Sequence, residues 1–93
     1  MFEHKGYEQV PQRTLDALDL WAEMAIPPGG FLKAVLQNDL FSAVGRADVE
    51  NLRALPRIVE YCYNELPATC WGSPESYQKH EEGKLDGRTK RVR

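Results

Sequence analysis

The chain is short of sulfur, histidine and long apolar runs, and each shortage closes off a class of protein. Cys62 and Cys70 are the only cysteines, too few for a disulfide framework, so a reduced, cytoplasmic setting is the default. His4 and His80 are the only histidines. With no C-x-x-C and no H-x-x-x-H pair, no zinc or other metal site is expected. No stretch approaches the roughly 18 apolar residues of a membrane span, and Met1 to Val10 lack the pattern of a secretion signal, so neither is expected. Alternating strand patterns and internal repeats are missing. So are a Walker loop and a serine-nucleophile elbow. A Cys–His pair has nothing to support it, and no enzyme and no cofactor are expected.

What is present fits one small domain. At 93 residues the folded chain buries only about 60–65% of its unfolded surface, which makes a modest core and leaves association open. The apolar share, 42%, is ordinary for a globular protein and argues against general disorder. The net charge of −2 conceals an asymmetry. Residues 84–93 carry five basic side chains against Asp86, and residues 1–83 carry 7 basic against 13 acidic. An acidic body argues against a broad nucleic-acid face, although the basic tail could add nonspecific phosphate affinity.

Apolar periodicity predicts helices along the chain. Residues 1–11 show no period and read as a loose arm, although Phe2, Tyr7 and Val10 could dock on the body or on a neighbouring subunit. The first helix is expected from Thr14 as cap, with Asp16 in its first turn. Leu15, Leu18, Ala22 and Ala25 form its apolar face, widened by Leu20, Trp21 and Met24, while Asp19 and Glu23 fall on the wet side. Pro27-Pro28 stops it.

A second helix is expected from about Gly30 to Val44, closed by Gly45. Its stripe of Phe31, Leu32, Val35, Leu36, Leu40, Ala43 and Val44 is broad enough for a central helix covered on more than one side. The third starts at Asp48. Val49, Leu52, Leu55, Val59, Tyr63 and Leu66 keep phase across Pro56, which predicts one kinked helix, with two shorter ones as the alternative. A loop follows over 67–73. Ser73-Pro74-Glu75 then opens a short fourth helix reaching His80 or Glu82, with Gly83 after it. The expected fold is all-α. It is a small bundle of three main helices plus a short C-terminal helix, in a single domain over 1–83, with a flexible basic tail over 84–93.

Four constellations could bind something. Gly29-Gly30 opens a helix with Lys33 one turn inside; such a start suits an anion, although most Gly-Gly pairs there are only turns. Asn38-Asp39 interrupts an apolar helix pattern, either as a solvent window or a structural bond, or as a polar group at a ligand pocket. Trp71, with Gly72 and Ser73 in a short loop, is either a lid on the bundle or a stacking platform for a ring. Arg46, Glu50, Arg53, Arg57 and Glu60 read as a solvated face of weak ion pairs, or as an arginine cluster for phosphate. A helix-turn-helix with its turn at Gly45 to Asp48 is disfavoured by Pro56, an acidic first turn and the negative body.

The strings Ile26-Pro-Pro-Gly-Gly-Phe-Leu32, Ala34-Val-Leu-Gln-Asn-Asp-Leu40, Ala47-Asp48, Asn51, Tyr63-Asn64 and Cys70-Trp-Gly-Ser73 resemble a family of small phage and prophage proteins, over about residues 13–80. The resemblance implies a phage origin and an accessory role. By analogy, such proteins often counter bacterial defence, some as oligomers that sequester nucleotide signals and others by blocking a host protein. The expected function is therefore a non-enzymatic anti-defence protein that sequesters a phosphate-bearing nucleotide signal in the host cytoplasm, as a possible homo-oligomer. Gly29, Gly30 and Lys33 would take phosphate, Asn38 and Asp39 the base or ribose hydroxyls, and Trp71 with Ser73 the ring. The alternative is a protein–protein inhibitor or adaptor acting on a host protein through the acidic helical surface.

Overall fold

A computed structural model describes Phe2 and residues 4–86, with side chains described through residue 83. The elements in order are α1 (Gln12–Met24), α2 (Gly30–Leu36), α3 (Leu40–Arg46), α4 (Val49–Arg53), α5 (Leu55–Glu65), a 3-10 turn (Ala68–Cys70) and α6 (Pro74–Asp86). Among the described residues there is no strand, and the all-α expectation holds. The last helix runs through Gly83 to Asp86 rather than stopping before that glycine. The rest of the expected flexible tail, 87–93, lies outside the described residues.

The core is built around Trp21, which is fully buried. Its Nε1 donates to the Cys70 carbonyl at 2.9 Å. Its ring stacks on Tyr77 at 4.2 Å and meets His80 edge-on at 4.7 Å. One side chain of α1 thereby fastens both the 3-10 turn and α6, an arrangement that suits a large apolar ring with one polar edge. Leu15 and Leu18 of α1, Leu32 and Leu36 of α2, and Ile58, Tyr61 and Cys62 of α5 fill the remaining interior.

Helix α1 starts earlier than Thr14. The Pro11 carbonyl accepts from the Thr14 and Leu15 amides, and Thr14 is a buried helix residue whose hydroxyl donates to Asn51 Oδ1 at 2.8 Å. The helix also ends before the prolines. Ala25 takes the left-handed conformation at φ 54°, and its amide and that of Ile26 return to the Trp21 and Leu20 carbonyls, a Schellman-type stop. Leu20 and Met24 do not widen the buried face; both are exposed. Asp19, assigned to the wet side, is buried. It accepts from Tyr61 Oη at 2.5 Å and meets His4 Nε2 at 2.8 Å. Two donors from distant segments make that burial tolerable.

Those donors show that the N-terminal arm is not loose. Tyr7 and Val10 are buried, and Phe2 packs against the core. The Tyr7 ring sits edge-on to Tyr61 at 5.0 Å, and its hydroxyl accepts from Asn64 Nδ2 at 3.2 Å.

The expected second helix is two. It breaks at residues 37–39, where Asn38 adopts φ 64°, a left-handed conformation that asparagine tolerates better than most residues. Asp39 then caps α3, its carboxylate accepting from the Ser42 amide at 3.3 Å. Gly45 lies inside α3 rather than after it. The third helix also divides. Asp48 caps α4 as expected, accepting from the Asn51 amide at 2.8 Å, but the helix ends at Arg53 and Pro56 sits in the first turn of α5. There its missing N–H costs nothing. The two-helix alternative is the one the chain adopts.

Candidate functional site

The break at 37–39 decides what the seven sequence-expected ligand residues can do together. Asn38 and Trp71 come together. They line one hollow of about 220 Å³ with Val35, Val59, Cys62 and Tyr63. The loop carrying Trp71 folds back onto α2, because the Gly72 amide donates to the Leu36 carbonyl at 2.8 Å. Gly72 makes this approach at φ 111°, where a side chain would be strained. The indole is half-buried, and its Nε1 donates to the Leu66 carbonyl at 3.3 Å.

Gly30, Lys33 and Asp39 are brought together on another hollow of about 330 Å³, which Ser42 and Arg46 also line. Arg46 lies close over Gly30: a Cβ there would sit 3.1 Å from Arg46 Nη1. Lys33 Nζ lies 5.7 Å from the centre of the Tyr77 ring. Gly29 is exposed at the N-cap of α2 and lines neither hollow, and Ser73 is spent as the cap of α6, its Oγ accepting from the Ser76 amide at 3.1 Å. The expected phosphate group and the expected stacking group therefore open on different hollows, bridged by the Asn38-Asp39 turn.

A small cleft of about 60 Å³ under that turn joins α3 to α5; Val35, Leu40, Ala43, Leu55 and Val59 line it. It lies within the largest feature that sequence reasoning missed, an apolar face that no other described residue covers. On α3, Leu40 is 62% exposed, Phe41 87% and Val44 42%. On α5, Val59 is 51% and Tyr63 72% exposed. Val49 and Leu52 of α4 are bare as well. The stripe that keeps helical phase, Val49, Leu52, Leu55, Val59, Tyr63 and Leu66, is not the side that faces the core. Only Leu66 of these is buried; the covered stripe is Asn51, Ala54, Ile58, Tyr61 and Cys62. Helix α5 is apolar on two sides, and the core takes one. Likewise α2 buries Leu32, Ala34 and Leu36, while α3 buries Ala43 alone, so the expected central helix is covered only in its first half.

The remaining groups of chemical interest are closed in. Burial, helped by the neighbouring Cys70, pushes the Cys62 thiol up to about 12, and burial pushes Cys70 to about 11. Both thiols are poor nucleophiles. Burial and the Asp19 carboxylate raise the Tyr61 hydroxyl well above its usual range. A wider depression, about 640 Å³ between the arm, α1 and α4, is lined by His4, Lys5, Glu8, Gln12, Glu50 and Arg53 among others, with no serine or cysteine. Arg13 reaches across from α1 to Asp48 and Glu50, both at 3.0 Å. The Asn51 amide, followed by Arg13, holds the Asp48 carboxyl below its ordinary value. Among the described residues, no group of three or more His, Cys, Asp or Glu is placed to hold a metal ion, and no helix is long and apolar enough to cross a membrane.

No known protein family matches this chain, and comparison with curated proteins and with solved structures found no match.

Proposed function

We propose that this chain is a non-enzymatic accessory protein that acts by protein–protein contact, with the bare face of α3 and α5 as its contact surface. The observation that carries this reading is Phe41, 87% exposed in the middle of an apolar row beside Leu40 and Val44. Single exposed leucines are normal on a protein surface, but a contiguous apolar patch rimmed by polar residues marks an association site. An exposed Phe41, together with Tyr63 and Trp71 at the edge of a hollow, has the composition of binding hot spots. The acidic helical surface expected from composition contributes less, since Asp48 and Glu50 are occupied by Arg13 and exposed ion pairs of this kind are weak. The resemblance to phage accessory proteins points the same way, because blocking a host protein is one of the roles it implies.

The test is retention of a stoichiometric partner, the chain itself included, by the wild type and its loss in Phe41→Asp or Val59→Lys. Retention that survives both substitutions and fails when Glu50 and Glu60 are neutralised would return the role to the acidic surface.

A second reading is sequestration of a phosphate-bearing nucleotide signal. It is favoured by Lys33 and Arg46 lining one hollow, with Arg46 free of ion pairs to the described residues. At about 330 Å³ the hollow reaches the lower end of ligand pockets, roughly 300–1,000 Å³. Calorimetry against cyclic dinucleotides, cyclic trinucleotides and ADP-ribose derivatives decides it. Heat that disappears in Lys33→Ala with Arg46→Ala supports this reading, and no heat from any member ends it.

A further inference from the structure

We infer that the partner this face fits is a second copy of the chain, joined about a two-fold axis by Phe41 of each protomer seated in the hollow of the other. The inference rests on the contact surface proposed above and names its occupant.

Three observations carry it. The first is that knob and hole lie on adjoining elements. Phe41 stands on α3 beside Leu40, Leu40 lines the small cleft with Val35 and Val59, and Val35 and Val59 also line the larger hollow. A two-fold interface uses the same patch on both subunits, so it needs a projection and a complementary recess side by side.

The second is size. The recess, about 220 Å³ and lined by Val35, Asn38, Val59, Cys62, Tyr63 and Trp71, is mostly apolar, and an apolar cavity of about 150 Å³ is enough to take a benzene ring. Within one protomer that space goes unused, since Phe41 is 87% exposed.

The third is area. At roughly 150–250 Å² per aromatic side chain and less per aliphatic one, the exposed parts of Leu40, Phe41, Val44, Val59 and Tyr63 amount to about 500–600 Å². Two copies would bury about 1,000–1,200 Å² of apolar surface before any rim is counted, which reaches the lower end of stable interfaces, about 1,200–2,000 Å². The flanking charges on these helices have both signs, with Asp39 and Arg46 on α3 and an Arg57–Glu60 pair on α5. A second copy therefore meets no wall of like charge.

The experiment is sedimentation equilibrium on the full chain and on Phe41→Asp, over a concentration series. The expected result is a two-chain mass for the wild type and a dissociation constant raised at least about thirtyfold by the substitution, the loss typical of a hot spot. Phe41 is not a core residue, so unchanged far-ultraviolet circular dichroism and unfolding of the separated protomer are expected to accompany that loss. Phe41→Leu should restore part of the association. A wild type that sediments as one chain throughout overturns the inference. So does a two-chain mass indifferent to Phe41→Asp. If the wild type is a single chain while a different protein is retained in a Phe41-dependent way, the second copy is excluded and the contact surface stands.

Discussion

Tyr61 works at both ends of one side chain. Its ring is fully buried against Tyr7 and His4, and its hydroxyl donates to Asp19 Oδ1. Tyr61→Phe keeps the ring and leaves a buried carboxylate one donor short. It should cost about 1–3 kcal/mol in urea unfolding, and a cost below a few tenths would mean that Asp19 finds another donor. Asp19 was unreadable in sequence for a related reason. A carboxylate four residues before Glu23 looks like half of a wet face, and only folding brings His4, 15 positions away, and Tyr61, 42 positions away, to its two oxygens.

The titrating groups of the interior set the alkaline limit of stability. Burial raises Cys62 from 9.0 to about 12 and Cys70 from 9.0 to about 11, and it raises Tyr61 and Tyr77 above 10.0. In each case the folded chain favours the neutral form, while the unfolded chain ionises near the ordinary value. Their contribution is full below about pH 9 and is lost as pH rises through the folded values. The urea midpoint should fall steadily across that alkaline window, and Cys62→Ala should flatten the slope. The same burial predicts that alkylating reagents label both cysteines only as fast as the chain unfolds. Labelling at the rate of a free thiol in the folded protein would contradict it.

At the scale of elements, the turn at 37–39 governs the molecule's surface. It uncouples α3 from α2 and turns Leu40, Phe41 and Val44 away from the interior. Asn38 at φ 64° makes a paired prediction. Asn38→Gly should hold or raise stability, and Asn38→Ala should lower it by about 1 kcal/mol. Asp39→Ala, which removes the cap of α3, should also cost about 1 kcal/mol. Equal midpoints for the glycine and alanine variants would show that the turn relaxes.

Helix starts at Gly30, Asp48 and Pro74 were legible, because caps and prolines act over three or four residues. The positions of the breaks were less so. Leucines on both sides of Asn38-Asp39 keep helical phase across a turn that their spacing cannot reveal. Phase also failed to select the buried side of α5. Ile58, Tyr61 and Cys62 form one stripe and Leu55, Val59 and Tyr63 another, and periodicity reports both equally. The partner helices choose between them. Of the candidate site, Gly30 and Lys33 were anticipated together and share a hollow, whereas Trp71 beside Asn38 and Lys33 beside Asp39 join residues that had been given separate roles. The bare face was not, since a second apolar stripe reads as core until the fold leaves it uncovered.

For the molecule as a whole, the N-terminal arm supplies part of the core, through Tyr7 and Val10, with Phe2 packed against it. Removing 1–10 would uncover the sites of Tyr7 and Val10, each worth about 1.5–3 kcal/mol when fully buried, and would strip His4 from Asp19. A loss of about 3–6 kcal/mol is expected, most of the stability of many domains this small, visible as a broad urea transition or none. A shortened chain with an undisturbed transition would show that the arm rests on a core complete without it.

The docking of that arm also orders events during synthesis. Tyr7 leaves the ribosome early, yet its partner Asn64 lies 57 positions later. At about 5–20 residues per second, roughly 3–11 s pass before that partner has been made. Throughout that interval the aromatic arm lacks its α5 partners, so nascent chains are most exposed to chaperones and to one another before α5 is complete. Slowing translation between codons 11 and 55 should raise the insoluble fraction, and slowing it after codon 86 should not.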